Sequence, residues 1–343
     1  MALWTDIIDP ATLTGYARAS LADYEASRGT LARWLPNRLV ADIAVRFIVG
    51  STGLVEVAEW RAYDAEPTIG KGPGGKRVTL ELPALGINIP VSEYNQLRAL
   101  GGSNVSPEQA LQVIQRTTST VVRAVADSVE RLRGIVLQTG RATVPGFMDD
   151  DFGRSGSHTV VAGSLWSNAA TDALTDLTAW NDTYLTTNGE PPGAIVTSTR
   201  VVRALGALSQ FKTQLLNGAS RPATTADVQA TIEGAGLPPI YTYDRRVLVG
   251  GVATKVISDD RVLLLPAPVD PDDYEGTQLG STFWGRTLTS TDPRYSLADV
   301  DQPGLVAGTY RHETPPMVAE VIGDAIALPV LANADLSFVA DVL

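Results

Sequence analysis

Apolar positions along residues 106–139 recur at intervals of three, four and seven, the pattern of an amphipathic helix. Ser106, Pro107 and Gln109 form a helix-start signal, and Gly140 stands where a helix commonly ends. At 1.5 Å per residue such a helix is ~50 Å long. This pattern predicts one long helix that spans a domain. A coiled-coil dimer is the alternative, although it needs a longer sustained heptad pattern.

Residues 54–92 alternate between apolar and polar side chains instead, the period of β-strands. Glycines and prolines separate the two alternating runs in the stretch TIGKGPGGKRV, residues 68–78. We therefore predict a long two-stranded β-hairpin with a glycine-rich tip. An isolated hairpin is marginal in water, so this one is expected to need a partner surface.

The N-terminal pattern predicts a short helix followed by irregular chain. Asp9-Pro10 is a good helix start, and apolar residues follow at spacings of three and four up to Tyr24. Residues 1–49 contain too little apolar material for a core of their own. We interpret them as an arm, and we expect the arm and the hairpin to be buried only against other copies of the chain.

The remaining segments combine the apolar spacing of helices with the alternation of strands. The stretch 168–192 predicts a helix that stops at Asn188-Gly189, and residues 190–292 alternate between helical and strand patterns, with a tight turn at Gly250-Gly251. Two strand-like runs with a turn between them close the chain. The whole pattern predicts an α+β fold.

Composition excludes several classes of function. The chain has 343 residues, no cysteine, two histidines and a formal net charge of −11. Thiolate chemistry and cysteine zinc sites are therefore impossible. The acidic balance argues against a nucleic-acid-binding domain but allows a protein that encloses nucleic acid. We find no membrane-spanning run and no signal peptide, and expect a protein made in a cytoplasm.

The stretch Gly70–Gly75 matches G-x-G-x-x-G and nearly completes a P-loop. Both phosphate-binding motifs need a helix after the glycines, because its free N–H groups meet the phosphate. Here a strand-like run follows, and Arg77 stands where a P-loop has Ser or Thr. We expect a hairpin tip, with no bound cofactor.

Two other segments could carry chemistry. His158 lies near Ser155 and Ser157, and His312 is next to Glu313, but neither segment completes a catalytic triad. We therefore expect no catalytic residue. The acidic run Asp270–Glu275 lacks the spacing of a calcium loop, so no metal site is predicted, and whether this run binds a cation stays open. Trp60, Trp166, Trp180 and Trp284 are expected to be core or interface anchors.

The order of arm, hairpin, long helix, α/β lobe and returning strands resembles the major capsid proteins of tailed bacteriophages, particularly the lambda-type family with the Hong Kong 97-type fold. The likeness spans nearly the whole chain. Its most recognisable pieces are WLPNRLV at 34–40, TDPRYS at 291–296 and the C-terminal run that begins ETPPMV at 313.

This resemblance implies a layout with five parts. They are an N-terminal arm (1–49), an extended loop (50–92), a peripheral domain (93–189) with spine helix 106–139, an axial domain (190–292) and a return to the peripheral domain (293–343). It implies a non-enzymatic subunit that self-assembles as pentamers and hexamers into the icosahedral head of the virion, in the host bacterial cytoplasm. The packaged double-stranded DNA would be enclosed but not specifically bound.

The resemblance also implies partners. No long helical segment precedes the arm, so a separate scaffolding protein is expected, together with a portal. Whether a decoration protein binds stays open. Lys71, Lys76 and Arg77 at the loop tip would contact acidic patches on the adjacent subunit. Lys71 and Lys76 are also the candidates for a lysine cross-link, for which the sequence supplies no evidence.

Two alternatives remain. One is an encapsulin-like nanocompartment shell protein, which has the same fold but holds a cargo enzyme. The other is a nucleotide-binding enzyme that uses the Gly70–Gly75 loop.

Overall fold

The structure, a computed structural model, describes residues 2–49, 76–94, 96, 107–216 and 222–343. It has both helices and strands, as the α+β prediction requires. The described helices are α1 (Pro10–Arg28), α2 (Pro107–Thr139), α3 (Ala173–Asn188), α4 (Thr199–Ala207), α5 (Ser209–Leu216) and α6 (Thr225–Gly234).

The described strands form two larger sheets and three two-stranded ones. They are β1 (Ala2–Leu3), β2 (Asn37–Leu39), β3 (Ala44–Val49), β4 (Lys76–Glu81), β5 (Ala84–Val91), β6 (Arg141–Val144), β7 (Met148–Asp151), β8 (Thr159–Val161), β9 (Ala194–Thr197), β10 (Ile240–Thr242), β11 (Arg246–Val249), β12 (Val252–Lys255), β13 (Arg261–Leu265), β14 (Gly280–Trp284), β15 (Val306–Arg311), β16 (Ala319–Leu331) and β17 (Phe338–Asp341).

The chain forms two compact units. Unit 1 comprises 1–45, 79–133 and 282–329, and unit 2 comprises 46–78, 134–281 and 330–343. Each unit is therefore built from separate stretches of sequence. The predicted five-part layout divides the chain differently from these two compact units. The units do not test it, and it stays a prediction.

The long helix is confirmed over Pro107–Thr139, and its last turn closes with a hydrogen bond from Gly140 N–H to the Val136 carbonyl at 2.8 Å. Ser106 lies outside the described residues. The predicted apolar stripe is buried, because Ile114, Val121, Val125 and Val129 all belong to the core of unit 1.

The larger sheet has the order β1-β15-β16-β14-β2, with β5 also paired to β16. In its first half β16 alternates buried and half-buried residues, as a strand with one face on a core does. Gly323 lies on the buried face, where an added Cβ would be 2.3 Å from a methyl group of Val121. Glycine at this position allows the long helix to approach the sheet.

The pairing of β5 corrects one prediction. Residues 84–91 were expected in a limb of the long hairpin, but Ala84–Val91 pairs antiparallel with β16, from Ala84 opposite Ile326 to Val91 opposite Ala319. Apolar alternation fits either arrangement, because both bury one face of a strand. The pair β3–β4 is a two-stranded sheet, and residues 50–75 lie outside the described residues.

The second sheet, in unit 2, has the order β10-β9-β13-β17-β8. Helices α3 to α6 supply apolar side chains to its core, which contains Trp166, Trp180, Phe211 and Phe338. The expected turn at Gly250-Gly251 is confirmed. Both glycines have positive φ, 55° and 82°, which a two-residue hairpin turn requires.

The C-terminal strands divide between the units. As predicted, two strands with a short turn between them end the chain. However, β17 pairs with β13 in the sheet of unit 2, whereas β15 and most of β16 belong to unit 1. Residues 293–343 therefore do not all belong to unit 1, which holds the first part of the long helix. Their last strand, β17, is hydrogen-bonded to β13 and belongs to unit 2.

Candidate assembly surfaces

The glycine-rich tip lies mostly outside the described residues, including Gly70, Gly75 and Lys71. Lys76 and Arg77 begin strand β4. A strand therefore follows the glycines, as predicted, in the place where a phosphate-binding loop needs the N-terminus of a helix.

The histidines have structural surroundings. His158 is fully buried, its Nε2 lies 3.1 Å from the Thr187 hydroxyl, and its ring packs against Tyr184 and Phe338. Burial lowers the pKa of His158, with Asp335 opposing the shift. Ser155 and Ser157 bond to each other through their hydroxyl oxygens at 2.9 Å. The side chains near His158 thus form part of a core.

His312 lies at the surface, with Nε2 3.6 Å from a carboxylate oxygen of Glu320. The contact is a partly exposed pair with one carboxylate, and it gives His312 no hydroxyl nucleophile to activate.

In the acidic run Asp270–Glu275, two carboxylates accept hydrogen bonds from backbone N–H groups of the same loop. Asp272 N–H donates to an Asp270 carboxylate oxygen at 3.1 Å, and Gly276 N–H donates to one of Asp273 at 3.0 Å. Within the described ranges, no group of three or more His, Asp or Glu residues is placed to hold a metal ion. The run is therefore an exposed loop with a defined shape.

The tryptophans are core residues where they are described. Trp166 stacks on Trp180 at 5.7 Å between ring centroids and donates its indole N–H to Asp176. Trp284 donates to Asn37 in unit 1. This confirms the expectation for these three residues, and Trp60 lies outside the described residues.

The N-terminal segment packs within its own chain, which corrects the prediction of an arm buried only against other copies. Leu13, Ala17, Leu31 and Leu35 are each no more than 1% exposed. The side chain of Thr14 hydrogen-bonds the backbone of Ala307 in β15. The small apolar content that suggested an arm is sufficient because α2 and β15 supply the rest of the core.

A buried ionic cluster fastens this segment to the long helix. Arg133 Nη1 lies 2.7 Å from Glu25 and 3.3 Å from Glu130, and Nη2 donates to Asn37 at 2.6 Å. Glu130 also accepts the Leu31 N–H at 2.8 Å. Burial by itself would lower the pKa of Arg133, but the two carboxylates outweigh it and raise the pKa. Arg133 is therefore charged and fully paired.

The sequence analysis missed this cluster. Glu130 and Arg133 were visible as an i, i+3 pair, but Glu25 and Asn37 are about a hundred residues away, and a charged residue on a helix is usually solvated. The only signal was the position of Arg133 next to the apolar stripe of the helix.

Unit 2 exposes apolar side chains at two hairpins. Phe147 at the β6–β7 turn is 83% exposed, and Leu248 and Val252 on the β11–β12 hairpin are 74% and 66% exposed. Apolar side chains exposed in this way are available to be buried against another molecule. The Pro145-Gly146-Phe147 turn was readable from the sequence, but its exposure was not.

No helix in the described part of the chain combines the length and apolar character needed to cross a bilayer.

Solved structures show which architecture this is. A protein described as a capsid protein of a prophage from Escherichia coli CFT073 superposes with a TM-score of 0.66 at 15% identity, covering 98% of this chain and 99% of that one. A phage-related protein from Bordetella bronchiseptica RB50 superposes with a TM-score of 0.61 at 14% identity, covering 99% and 97%. The fold is the Hong Kong 97-type capsid fold, which is the class of shell-forming subunits.

The sequence then identifies the family within that class. Residues 34–277 match the family described as phage major capsid protein E. This match covers more than half of the chain, so the chain belongs to that family and is a structural protein of the phage capsid. No curated protein matches the chain. The family membership favours the phage shell over the encapsulin-like and nucleotide-binding alternatives.

Proposed function

We propose that this chain is the main subunit of the icosahedral head of a tailed bacteriophage, where it self-assembles as pentamers and hexamers around double-stranded DNA. The observation that carries the proposal is the family match over residues 34–277 on a fold shared from end to end with a prophage capsid protein. Assembly takes place in the cytoplasm of the host bacterium. The role is structural and requires no catalytic residue or cofactor.

The exposed apolar hairpins support a subunit that completes its burial by association. Closed shells use the same surfaces in slightly different surroundings, and stable protein interfaces have apolar centres. Phe147 and Leu248 are suitable anchors because they project from two-stranded hairpins. Their substitution would reduce assembly more than folding.

The net charge of −11 supports enclosure of DNA without specific binding. An acidic inner wall repels phosphate, so the genome is enclosed without being bound to the wall. A separate scaffolding protein would guide curvature, and a portal and decoration proteins would be further partners.

The experiment is expression of the chain with and without a co-expressed scaffolding protein, followed by sedimentation and electron microscopy. Closed shells with pentameric and hexameric capsomers are expected. A product that stays monomeric under both conditions would contradict the proposal.

Of the extended loop predicted over residues 50–92, we keep the part up to strand β4 as the docking element, because β5 pairs with β16 of the same chain. Lys71, Lys76 and Arg77 are its contacts to acidic patches of an adjacent subunit. The support is the charge contrast between this tip and the acidic chain, because two of only four lysines lie in it. The five-part layout with peripheral and axial domains belongs to the same proposal.

The triple charge reversal K71E/K76E/R77E tests this contact, with the charge-conserving variant K71R/K76R/R77K as the control. The reversal is expected to block assembly or to make it depend on salt, whereas the control assembles normally. If the reversed chain forms shells like the wild type, the tip is not an electrostatic contact.

A further inference from the structure

Unit 1 contains a polar groove between the first helix and the long helix. It has a volume of about 380 Å³, and its walls include Tyr16, Gln112, Arg116, Ser119, Thr120 and Arg123. The hydroxyls of Tyr16 and Ser119 are hydrogen-bonded at 3.0 Å, which joins the two walls. The groove is therefore a built feature of helix packing and not a gap between loose side chains.

The side chains of the groove suit an anionic binding partner. Arg116 and Arg123 are both exposed, and neither makes an ion pair within the described part of the chain. Guanidinium groups present planar sets of donors that match carboxylates, and the Gln112 amide adds further donors. No carboxylate lines the groove, and Asp127, one turn beyond Arg123, accepts the Tyr24 hydroxyl.

Arg116 and Arg123 carry positive charge on a chain whose net charge is −11. Arg123 lies 6.0 Å from the centre of the Tyr24 ring, a contact that holds it in place without neutralising it. The contact constrains the position of Arg123 while its charge remains available to a docking partner.

The same chain carries a matching acidic segment. The loop 270–275 has four carboxylates in six residues, all of them exposed, and Asp270 and Asp273 fix its shape by accepting N–H groups of the loop backbone. A second acidic run is less suitable, because Asp149 and Asp151 already pair with Arg141 at 3.0 and 3.5 Å.

We propose that the groove of Tyr16, Arg116 and Arg123 receives the acidic loop 270–275 of a second copy of the chain in the shell. This inference rests on the proposed function and names one contact within it. Arg116 and Arg123 bind carboxylates of the loop, and Gln112 and Thr120 provide hydrogen-bonding groups beside them. The groove volume is at the low end of the range for small-ligand sites, so it takes side chains of the loop.

The absence of cysteine makes a direct test possible. One chain carries Thr120→Cys and another carries Glu275→Cys, and the two are co-assembled and oxidised. A disulfide-linked dimer on a denaturing gel is expected, because the two thiols meet only between copies. Shells from each single variant alone, and a mixture that replaces Thr120→Cys with Ser128→Cys on the same helix, are the controls.

Wild-type shells are examined first, by electron microscopy, so that failure of the proposed function is distinguished from failure of this contact. If wild-type shells form but the mixed shells give no dimer, or give as much with Ser128→Cys as with Thr120→Cys, the inference is wrong. A cross-link within one chain carrying both cysteines, with none between chains, also overturns it.

A charge swap provides a second measurement that does not depend on thiol geometry. R116E/R123E is expected to raise the concentration needed for half-maximal assembly by about tenfold, the equivalent of 1.4 kcal/mol. Adding D272K/E275K to the same chain restores the net charge and should restore assembly. If R116E/R123E assembles as well as the wild type, the loop does not occupy the groove. The same conclusion follows if the fourfold variant does not recover assembly although its monomer keeps the wild-type melting temperature.

Discussion

Arg133 is fully buried within the long helix, whereas Arg154 is half-buried at the C-terminal end of that helix, and the two charges are compensated differently. In unit 1, Arg133 is paired with the carboxylates of Glu25 and Glu130. In unit 2, Arg154 donates to the carbonyls of Leu137 and Gln138, at the C-terminal end of the helix, and to Ser337.

The pKa values of the two guanidinium groups reflect this difference. Burial lowers the pKa of Arg154 to about 10, with Asp335 opposing the shift, whereas carboxylates more than offset burial at Arg133. Carbonyl dipoles at a helix end attract a cation, but more weakly than a formal negative charge. Arg133 therefore holds three chain segments together, and Arg154 completes the end of one helix.

The largest expected effect is that of Arg133→Ala, which leaves Glu25 and Glu130 buried without their cation. Removing one partner of a buried ion pair costs about 3–5 kcal/mol. We expect the denaturant midpoint of the unit 1 transition to fall accordingly in chemical unfolding of the unassembled chain. Arg116→Ala, an exposed position on the same helix, is the control and should stay within about 0.5 kcal/mol of the wild type. Equal stability of the two variants would contradict the role given to the cluster.

Arg154→Ala should cost less, about 1.5–3 kcal/mol, because it removes charge-assisted hydrogen bonds but leaves no carboxylate without a donor. Asp335 keeps its hydrogen bond from the Ser155 N–H. The same unfolding measurement should place this loss in the transition of unit 2. A loss larger than that of Arg133→Ala would reverse the comparison.

His158→Phe tests a titrating group inside unit 2. The folded pKa of His158 lies below the ordinary value of 6.5, so below pH 6.5 the unfolded chain binds a proton that the folded chain does not. Stability therefore falls as the pH drops below 6.5, by at most about 1.4 kcal/mol per pH unit, until the folded pKa is reached. The difference between variant and wild type in melts from pH 7.5 to 5 should show this slope. An unchanged difference across that range would exclude it.

The smallest effect is expected for Asp172→Ala at the start of α3. The Asp172 carboxylate accepts the Thr175 N–H, and hydrogen bonds from Thr175 lower its pKa. Loss of an N-cap costs about 1 kcal/mol. The contribution is present at neutral pH and disappears as the pH falls through the lowered pKa, so wild type and variant should converge in acid. Asp172→Asn keeps an acceptor and should retain most of the stability at neutral pH.

Helix starts and stops were predictable because their signals are local. Asp9 caps α1, and α3 ends at Asn188 before a left-handed glycine, both as the pattern indicated. Hydrogen bonds within three or four residues decide these features, so neighbours in the sequence carry the information.

Predictions of what each segment packs against were less successful. Residues 10–35 were assigned to an external arm (1–49) and residues 84–91 to a hairpin limb. The first segment instead packs on the core of its own chain, and the second pairs with β16. An amphipathic segment shows that it needs a partner surface without showing which one. The basic groove was missed for a related reason, because Tyr16 and Arg116 come together only when two distant helices pack.

The order of helices and strands, the tight turn at Gly250-Gly251 and the family were thus contained in the sequence, since local spacing and capping chemistry decide the elements. Tertiary structure alone decided that Glu25 would meet Arg133 and that β17 would join β13. These pairings join residues about eighty to a hundred positions apart, and they are selected by the burial and charge compensation of the whole folded chain.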